Sequence, residues 1–548
     1  MNHFEVVKRQ VAGTQAAKLG QPFSDEEPGK PVCLITPPSS FLLDERVFMT
    51  LGILKVAAAL EAAGQTVEML DLSGIENYTD AARDHARNSG ARCFGLTATT
   101  PQLPAAVVIA RAIREVRPDA KVILGGPHIT LVSAARKREL NKGINGRATK
   151  AFEKLQGLFD VLVAGDGESS IFQAIRDDSA DFVDADDPRS EMFLKNSQLS
   201  SMPMPARHLV DVSSYHYQID GTSAVSMIAQ LGCPFGCGFC GGRESPMLRR
   251  VRMRSVESII GEIVYLHRTY GYNGFMLYDD ELNVNPKFLV LLEAISDTAK
   301  SLNTAFSMRG FIKAELFNDA QAEAMYRAGF RWILTGFEAA SPRILKNINK
   351  KATLEENTRC LEIARRHNLK VKALMSVGHP GESRETMAAT KDWLLEMRPD
   401  DFDISIITTY PGTPYYDHAV PHEIEPHIWV YTVNGDRLYS HEVDYTAVAD
   451  YYKGAPDGGY KSFVYTDYIS AEEIVCVRDE MERDIRSELQ IPFNSSAAAI
   501  RYEHSMGQFG GGLPEHILRR SEAKPAVGGD ALGLGLVQLQ AFSHAVGM

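Results

Sequence analysis

Leu231-Gly232-Cys233-Pro234-Phe235-Gly236-Cys237-Gly238-Phe239-Cys240-Gly241-Gly242-Arg243 decides how the rest of the chain is read. Cys233, Cys237 and Cys240 stand in a C-x3-C-x2-C arrangement with glycines between them. The run before it, from Ala224 to Gln230, has the apolar character of a buried strand, so the cysteines fall on the loop at that strand's carboxyl end. Glycines 232, 236, 238, 241 and 242 let the backbone double back and point several thiolates at one centre. Three thiolates suit an iron–sulfur cluster, which ordinarily takes four ligands; the missing fourth leaves one iron open to a small molecule. A zinc site would bring a second Cys or His pair, and none follows. Seven cysteines in 548 residues do not make a disulfide framework.

Working outward from the loop, a strand–helix rhythm begins at 224. Strands are expected at 224–231, 275–280, 306–312, 332–338, 371–377 and 402–409, with helices at about 255–269, 286–302, 318–328, 353–367 and 383–397. Six βα units make a partial barrel, whose active residues belong at the carboxyl ends of its strands. Those ends carry Tyr278-Asp279-Asp280-Glu281, Arg309, Gly336-Phe-Glu338-Ala-Ala-Ser341, Ser376-Val-Gly378-His-Pro-Gly381-Glu382 and Tyr410-Pro-Gly-Thr-Pro414. Asp279 or Asp280 reads equally as a helix N-cap.

The triplet, down to Phe239 before its third cysteine, resembles the signature of the radical S-adenosylmethionine (SAM) superfamily. The resemblance implies a 4Fe–4S cluster on Cys233, Cys237 and Cys240, with SAM on the open iron beside Phe239, Gly241 and Gly242. It further implies Asp279, Asp280 or Glu281 for the SAM amino group, Arg309 for its carboxylate, Glu338 or Ser341 for the ribose, and the Gly378 segment for adenine.

Upstream, short apolar strands at 32–36, 67–72, 94–98, 121–126 and 161–165 alternate with helical patterns, clearest at 50–63 and 104–116. This is a parallel, doubly wound sheet, which binds ligands beyond its carboxyl edge. Four loops there are rich in small residues: Pro37-Pro38-Ser39-Ser40, Thr97-Ala-Thr99-Thr100-Pro101-Gln102, Gly125-Gly126-Pro-His128 and Gly165-Asp-Gly167-Glu168. They suit a broad ligand held by main chain, or glycines that simply end strands. With the cysteine triplet behind it, this sheet resembles the cobalamin-dependent branch of the radical SAM superfamily. These loops are then the expected cobalamin contacts, with Thr99–Gln102 nearest its lower face. No Asp-x-His-x-x-Gly occurs, so His128 is expected as a loop residue near the cofactor, not its ligand.

The expected organisation is a polar arm (1–30), a Rossmann-like cobalamin domain (31–179), a linker (180–223), a partial (β/α)6 barrel (224–414), a small, mainly helical or irregular cap (415–521) and a flexible tail (522–548). The cap is tyrosine-rich, and Cys476, on a helix expected at 470–489, reads as core, as do Cys33, Cys93 and Cys360. A net charge of −12 argues against a nucleic-acid partner. The most basic stretch, 136–154, reads as a solvated insertion. No run of eighteen apolar residues and no signal-peptide stretch at Met1–Lys8 is present, so a soluble, cytoplasmic protein without a membrane partner is expected. The resemblance implies a methyltransferase using two SAM molecules, moving a methyl group via methylcobalamin to an unactivated carbon of a small molecule such as a natural-product or pigment intermediate. Electrons would come from a flavodoxin or ferredoxin. Radical oxidation, cyclisation or rearrangement with the same cofactors, or a sensor without turnover, are the alternatives; a methylthiotransferase would carry a further cysteine-bearing domain.

Overall fold

The computed structural model of the protein describes residues 31–39, 45–453 and 460–492; the expected arm and tail, Ser40 and the last part of the expected cap (493–521) lie outside them. Six strands, β1 (Val32–Thr36), β2 (Val67–Asp71), β3 (Cys93–Thr97), β4 (Lys121–Gly125), β5 (Val161–Gly165) and β6 (Phe182–Ala185), pair in parallel in the order β2-β1-β3-β4-β5-β6. Helices cover both faces, which is why β1 is five buried residues with no polar alternation. Helices Leu51–Ala62 and Gly167–Ala174 pack on the face of Val32 and Leu34, while Tyr78–Asn88 and Leu103–Val116 pack on the face of Cys33 and Ile35. Strand order reverses between β1 and β3, so the ligand crevice of such a sheet opens over their carboxyl ends.

The structure corrects the expected linker. Phe182–Ala185 is the sixth strand, an edge strand whose Asp184 breaks the apolar run, as edges commonly require. The chain then crosses to a hairpin, β7 (Gln218–Ile219) and β8 (Thr222–Met227), turned at Asp220-Gly221, both at positive φ. The strand expected at 224–231 divides. β8 ends at Met227, and β9 (Gln230–Leu231) pairs with β10 (Arg252–Met253) in a two-stranded ribbon that brackets the cysteine loop.

β8 continues in parallel through β11 (Gly274–Leu277), β12 (Ser307–Phe311), β13 (Phe330–Glu338), β14 (Lys370–Val377) and β15 (Asp401–Ile406), each pairing with the next. Four of the intervening helices start on side-chain caps, Ser255, Asn318, Thr353 and Ser383 each accepting from a backbone N–H in the first turn. This is the expected six-unit open barrel. Its free edge is sealed by helix Ala471–Leu489. Arg478 Nε donates to Ile404 O (2.8 Å) and Arg486 Nη2 to Phe402 O (3.1 Å), and Glu482 pairs with both guanidiniums. On that helix Cys476 is exposed, not core, because Ile474, Val477, Met481 and Ile485 define the buried stripe.

The segment expected to be mainly helical or irregular holds an antiparallel sheet: β16 (Val420–Pro421), β17 (Ile428–Val433), β18 (Asp436–His441) and β19 (Val464–Thr466). Asn434-Gly435, both at positive φ, turn β17 into β18, and the Tyr439 and Tyr465 rings stack at 4.8 Å across β18 and β19. The basic stretch 136–154 is no solvated insertion either. Helices Pro127–Asn141 and Arg147–Gln156 present it to the segment after the barrel. The Arg147 guanidinium lies 3.5 Å over the Tyr416 ring and 4.0 Å over Trp429, and Lys154 pairs with Asp444 at 2.7 Å.

Candidate active site

The cysteine loop is held by its own backbone and by one arginine. Cys233 N–H donates to Leu248 O (3.0 Å), Gly238 N–H to Ile348 O (2.8 Å) and Gly242 N–H to Gly412 O (2.9 Å). Arg243, buried, donates to the carbonyls of Cys233, Phe235 and Gly241 and so staples the turn. Burial raises the Cys240 thiol to about 12 and also raises Cys233 and Cys237, so thiolates here need a cation to pair with. Among the described residues the one Cys/His/Asp/Glu trio whose ligand atoms lie within 4.8 Å of one another is Cys33, Glu68 and His85. The loop's three sulfurs do not all lie within that distance of one another.

Beside the loop is a set of buried acceptors. Asp279 Oδ1 accepts from the backbone of Ala229 (2.8 Å) and Gln230, which replaces the N-cap reading: the cap of the next short helix is Glu281. Asp279 Oδ2, Glu281 Oε2 and Gln230 Oε1 are buried with no hydrogen-bond partner. Burial raises Asp279 and Glu281 to about 7, with Lys350 and Lys313 drawing Glu281 down. Three orphaned acceptors fit an ammonium group such as that of SAM. Asp280 is exposed and accepts from Gly232 N–H.

Across the mouth runs a hydrogen-bonded chain that the sequence showed only in pieces. Lys350 Nζ reaches Glu338 Oε1 (3.0 Å), and Ser376 Oγ donates to Glu338 Oε2 (2.7 Å). His379 Nε2 meets Ser376 Oγ at 2.8 Å, and Tyr415 Oη meets His379 Nδ1 at 3.3 Å. Since Ser376 donates to Glu338, His379 carries its proton on Nε2 and accepts from Tyr415 on Nδ1. Burial lowers His379 to about 4, keeping it neutral; burial opposes ionisation of Glu338, and Lys350 outweighs it. Glu338 sits at φ 66° where the β13–β14 register shifts, and its carboxylate folds back over Gly336, whose missing Cβ would lie 2.4 Å from Oε1. Phe239 packs edge-on to His379 at 5.3 Å, and Tyr415 lies against Gly238. Ser341 is buried at the start of helix Pro342–Asn347, and Gly378 (φ 91°) meets Val464 of β19. Arg309 is not at its strand's end: β12 runs on to Phe311, and Arg309 pairs in register with Trp332, 5.3 Å beneath its guanidinium, deeper in the barrel.

The first sheet offers a different surface. A cavity of about 200 Å³ lies between the Leu34 face and helices Leu51–Ala62 and Gly167–Ala174, and Ile228, Leu231, Met247 and Leu248 of the barrel close it. Of the expected cobalamin contacts, Thr97, Gly125, Gly126, Gly165, Gly167 and Glu168 line it. Mid-strand Gly95 keeps it open, since a Cβ there would lie 2.9 Å from Leu34 Cδ2. Glycine also serves the strand ends themselves: a Cβ on Gly126 (φ 94°) would lie 2.8 Å from Ala98 N, and one on Gly165 (φ 90°) 2.4 Å from Ala185 C. The other contacts do not line the cavity. Thr99 and Gln102 form a capping box, with Gln102 Nε2 donating to Pro37 O (2.9 Å); Pro101 lies in that turn, and Pro38 and Ser39 are buried beside it. His128 is a buried helix residue, not a loop residue; Nδ1 meets Thr100 Oγ1 at 3.1 Å, and burial lowers it to about 3. The cavity is apolar, floored by a glycine and rimmed by main chain, and at about 200 Å³ it has room for part of a bulky cofactor lying over the strand ends.

The two surfaces meet. Leu131 of the first domain stands 3.2 Å from where a Gly241 Cβ would lie, Asp166 pairs with Arg252 (2.6 Å), and Asp186 accepts from Ser245 Oγ (2.8 Å). An open parallel barrel with a cysteine triplet at its mouth, set edge to edge with a cavity-bearing doubly wound sheet, defines an iron–sulfur enzyme fused to a cofactor-binding domain. The profile of the Radical SAM superfamily matches residues 227–394 and that of the B12 binding domain residues 45–156. The chain belongs to the cobalamin-dependent radical SAM enzymes, and its cofactors are a 4Fe–4S cluster, SAM and cobalamin. An uncharacterised methyltransferase of Pyrococcus horikoshii is 26% identical over 400 residues, 72% of this chain and 84% of that one. The anaerobic magnesium-protoporphyrin IX monomethyl ester cyclase of Cereibacter sphaeroides is 25% identical over 387 residues, 66% of this chain but 58% of that one. The structure of the radical SAM methyltransferase TsrM from Kitasatospora setae superposes with a TM-score of 0.55 at 18% identity, over 74% of this chain and 82% of that one, which shows a shared fold. No helix among the described residues is long and apolar enough to cross a membrane.

Proposed function

We propose that the chain is a methyltransferase that moves a methyl group from SAM to an unactivated carbon of a small molecule. The observation that carries this reading is the apposition of the two carboxyl edges, with Leu131 of the cobalamin domain against the cysteine loop. When bound, the cofactors supply a hydrogen-abstracting radical at one edge and a transferable methyl group at the other. Cys233, Cys237 and Cys240 hold the cluster, with Arg243 fixing their loop. Asp279, Glu281 and Gln230 receive the SAM ammonium. Glu338, held ionised by Lys350 and Ser376, faces the ribose hydroxyls, and Ser341 and Gly378 flank the same mouth. Phe239, His379 and Tyr415 exclude water around them. Thr97, Gly125, Gly126, Gly165, Gly167 and Glu168 would hold cobalamin, with the Thr99–Gln102 turn beside them at the carboxyl end of β3. Arg249 and Arg250, with Glu244 beside them, line an open cavity of about 700 Å³ with Pro234 next to Cys233, where an electron carrier such as a flavodoxin would dock.

The second reading is a radical cyclisation or oxidation, favoured by the cyclase among the relatives. Anaerobic turnover with methyl-deuterated SAM separates the two. Methyl transfer gives a product heavier by the labelled group, with S-adenosylhomocysteine and 5′-deoxyadenosine formed together. A modified product without label selects the second reading.

A further inference from the structure

We infer that Cys33, Glu68 and His85 form a binding site for one divalent transition-metal ion of the zinc class, on the face of the first sheet turned away from its cavity. Cys33 and Glu68 are in register on neighbouring strands β1 and β2, and His85 reaches them from helix Tyr78–Asn88 packed on that face. His85 Nε2 stands 3.4 Å from Cys33 Sγ and 3.0 Å from Glu68 Oε2. Both partners thus approach the same ring nitrogen, which has one hydrogen or one lone pair to offer and cannot serve both fully. An ion between the three atoms resolves the conflict. With tetrahedral angles and ordinary zinc bond lengths, sulfur and nitrogen would stand ~3.5 Å apart and nitrogen and oxygen ~3.3 Å apart, close to what is seen.

The chemistry of the set points to the same class of ion. A thiolate with an imidazole selects zinc over magnesium or calcium, and a carboxylate completes a neutral three-ligand site. Cys33 is fully buried, whereas His85 and Glu68 keep 22% and 27% of their side chains exposed, so a fourth position can open to water. Ser89 Oγ donates to Glu68 Oε2 (2.6 Å), the kind of outer hydrogen bond that orients a ligating carboxylate. Such an ion would clamp β2 and its helix to β1. The cofactor-binding loops lie elsewhere, so this site is independent of the proposed methyl transfer.

The test is elemental analysis of full-length holoenzyme, anaerobically reconstituted to full cluster occupancy, equilibrated with zinc chloride and desalted. The expected result is one zinc per chain beyond the cluster iron, with X-ray absorption showing one sulfur at ~2.3 Å and otherwise nitrogen or oxygen. His85→Gln and Cys33→Ser should each lower zinc at least tenfold while leaving iron unchanged. Should Cys33→Ser fail to fold, His85→Gln, at a partly exposed position, decides alone. A zinc-free wild type, zinc that persists in His85→Gln, or zinc that rises only as cluster iron falls would overturn the site.

Discussion

The two parallel sheets present their carboxyl edges to each other but prepare them differently. The first edge is made of glycines, a capping box and an apolar cavity. The second is crowded with buried ionisable groups, Asp279, Glu281, Glu338 and Lys350. Burying those groups is costly unless they are paired, so each unpaired acceptor at the second edge marks a ligand's polar atom. The first edge, though it buries Glu168 beside the Asp166–Arg252 pair, is built around glycines and selects by shape. One edge should therefore fail through charge changes, the other through added volume.

The largest effect tests the separation itself. Replacing Cys233, Cys237 and Cys240 with alanine should abolish cluster iron and SAM cleavage while cobalamin still binds; loss of all three together would show that the edges are not separable. Lys350→Met comes next. It strands the buried Glu338 carboxylate, and a chemical-denaturation midpoint should report a loss of about 3–5 kcal/mol. Lys350→Arg should restore part of it. Gly95→Val attacks the other edge, crowding Leu34 on the neighbouring strand at the cavity floor, and should weaken cobalamin binding at least tenfold in equilibrium dialysis with cluster iron unchanged.

The pH dependence is smaller and has a defined sign. Burial puts Asp279 and Glu281 near 7, so the folded apo chain retains protons that unfolded carboxyls release near 4. Its stability should fall as pH rises from about 4 to 7 and level off above. SAM, bringing a cation, favours the ionised forms, so its affinity should rise by about tenfold per carboxyl between pH 6 and 8. Asp279→Asn keeps the acceptor for Ala229 and Gln230 and should flatten that rise; an unchanged slope would remove Asp279 from the site. Smallest of all, Cys476→Ser, on the solvent side of its helix, should stay within about 0.5 kcal/mol of wild type.

Much of this was legible in the sequence because it is local. Strand β1 and helix Leu103–Val116 fall within a residue of where their apolar patterns put them, and the cysteine loop needed only spacing and glycines to read. What was missed depends on distant partners. Lys350 stands beside Lys351 in a stretch that looks solvated, and only the fold buries it against Glu338. Arg147 looks like one more surface charge until Tyr416 and Trp429 arrive from 269 or more residues away. β6 hid because an edge strand carries acids, yet the Asn434-Gly435 turn of the last sheet was in plain sight.

The segment after the last barrel strand also bears on how such a chain can be recombined. Tyr416, Tyr445 and Tyr451 belong to the core of the first domain, while Tyr445 Oη donates to Thr409 O at 2.6 Å and Tyr415 rests on the cysteine loop. A chimera that swapped residues 31–185 alone would tear these rings from their seat. The same segment is also bound into the barrel, whose core takes in Leu438, Tyr460 and Val464, so no single cut frees the first domain and all three parts must be inherited as one.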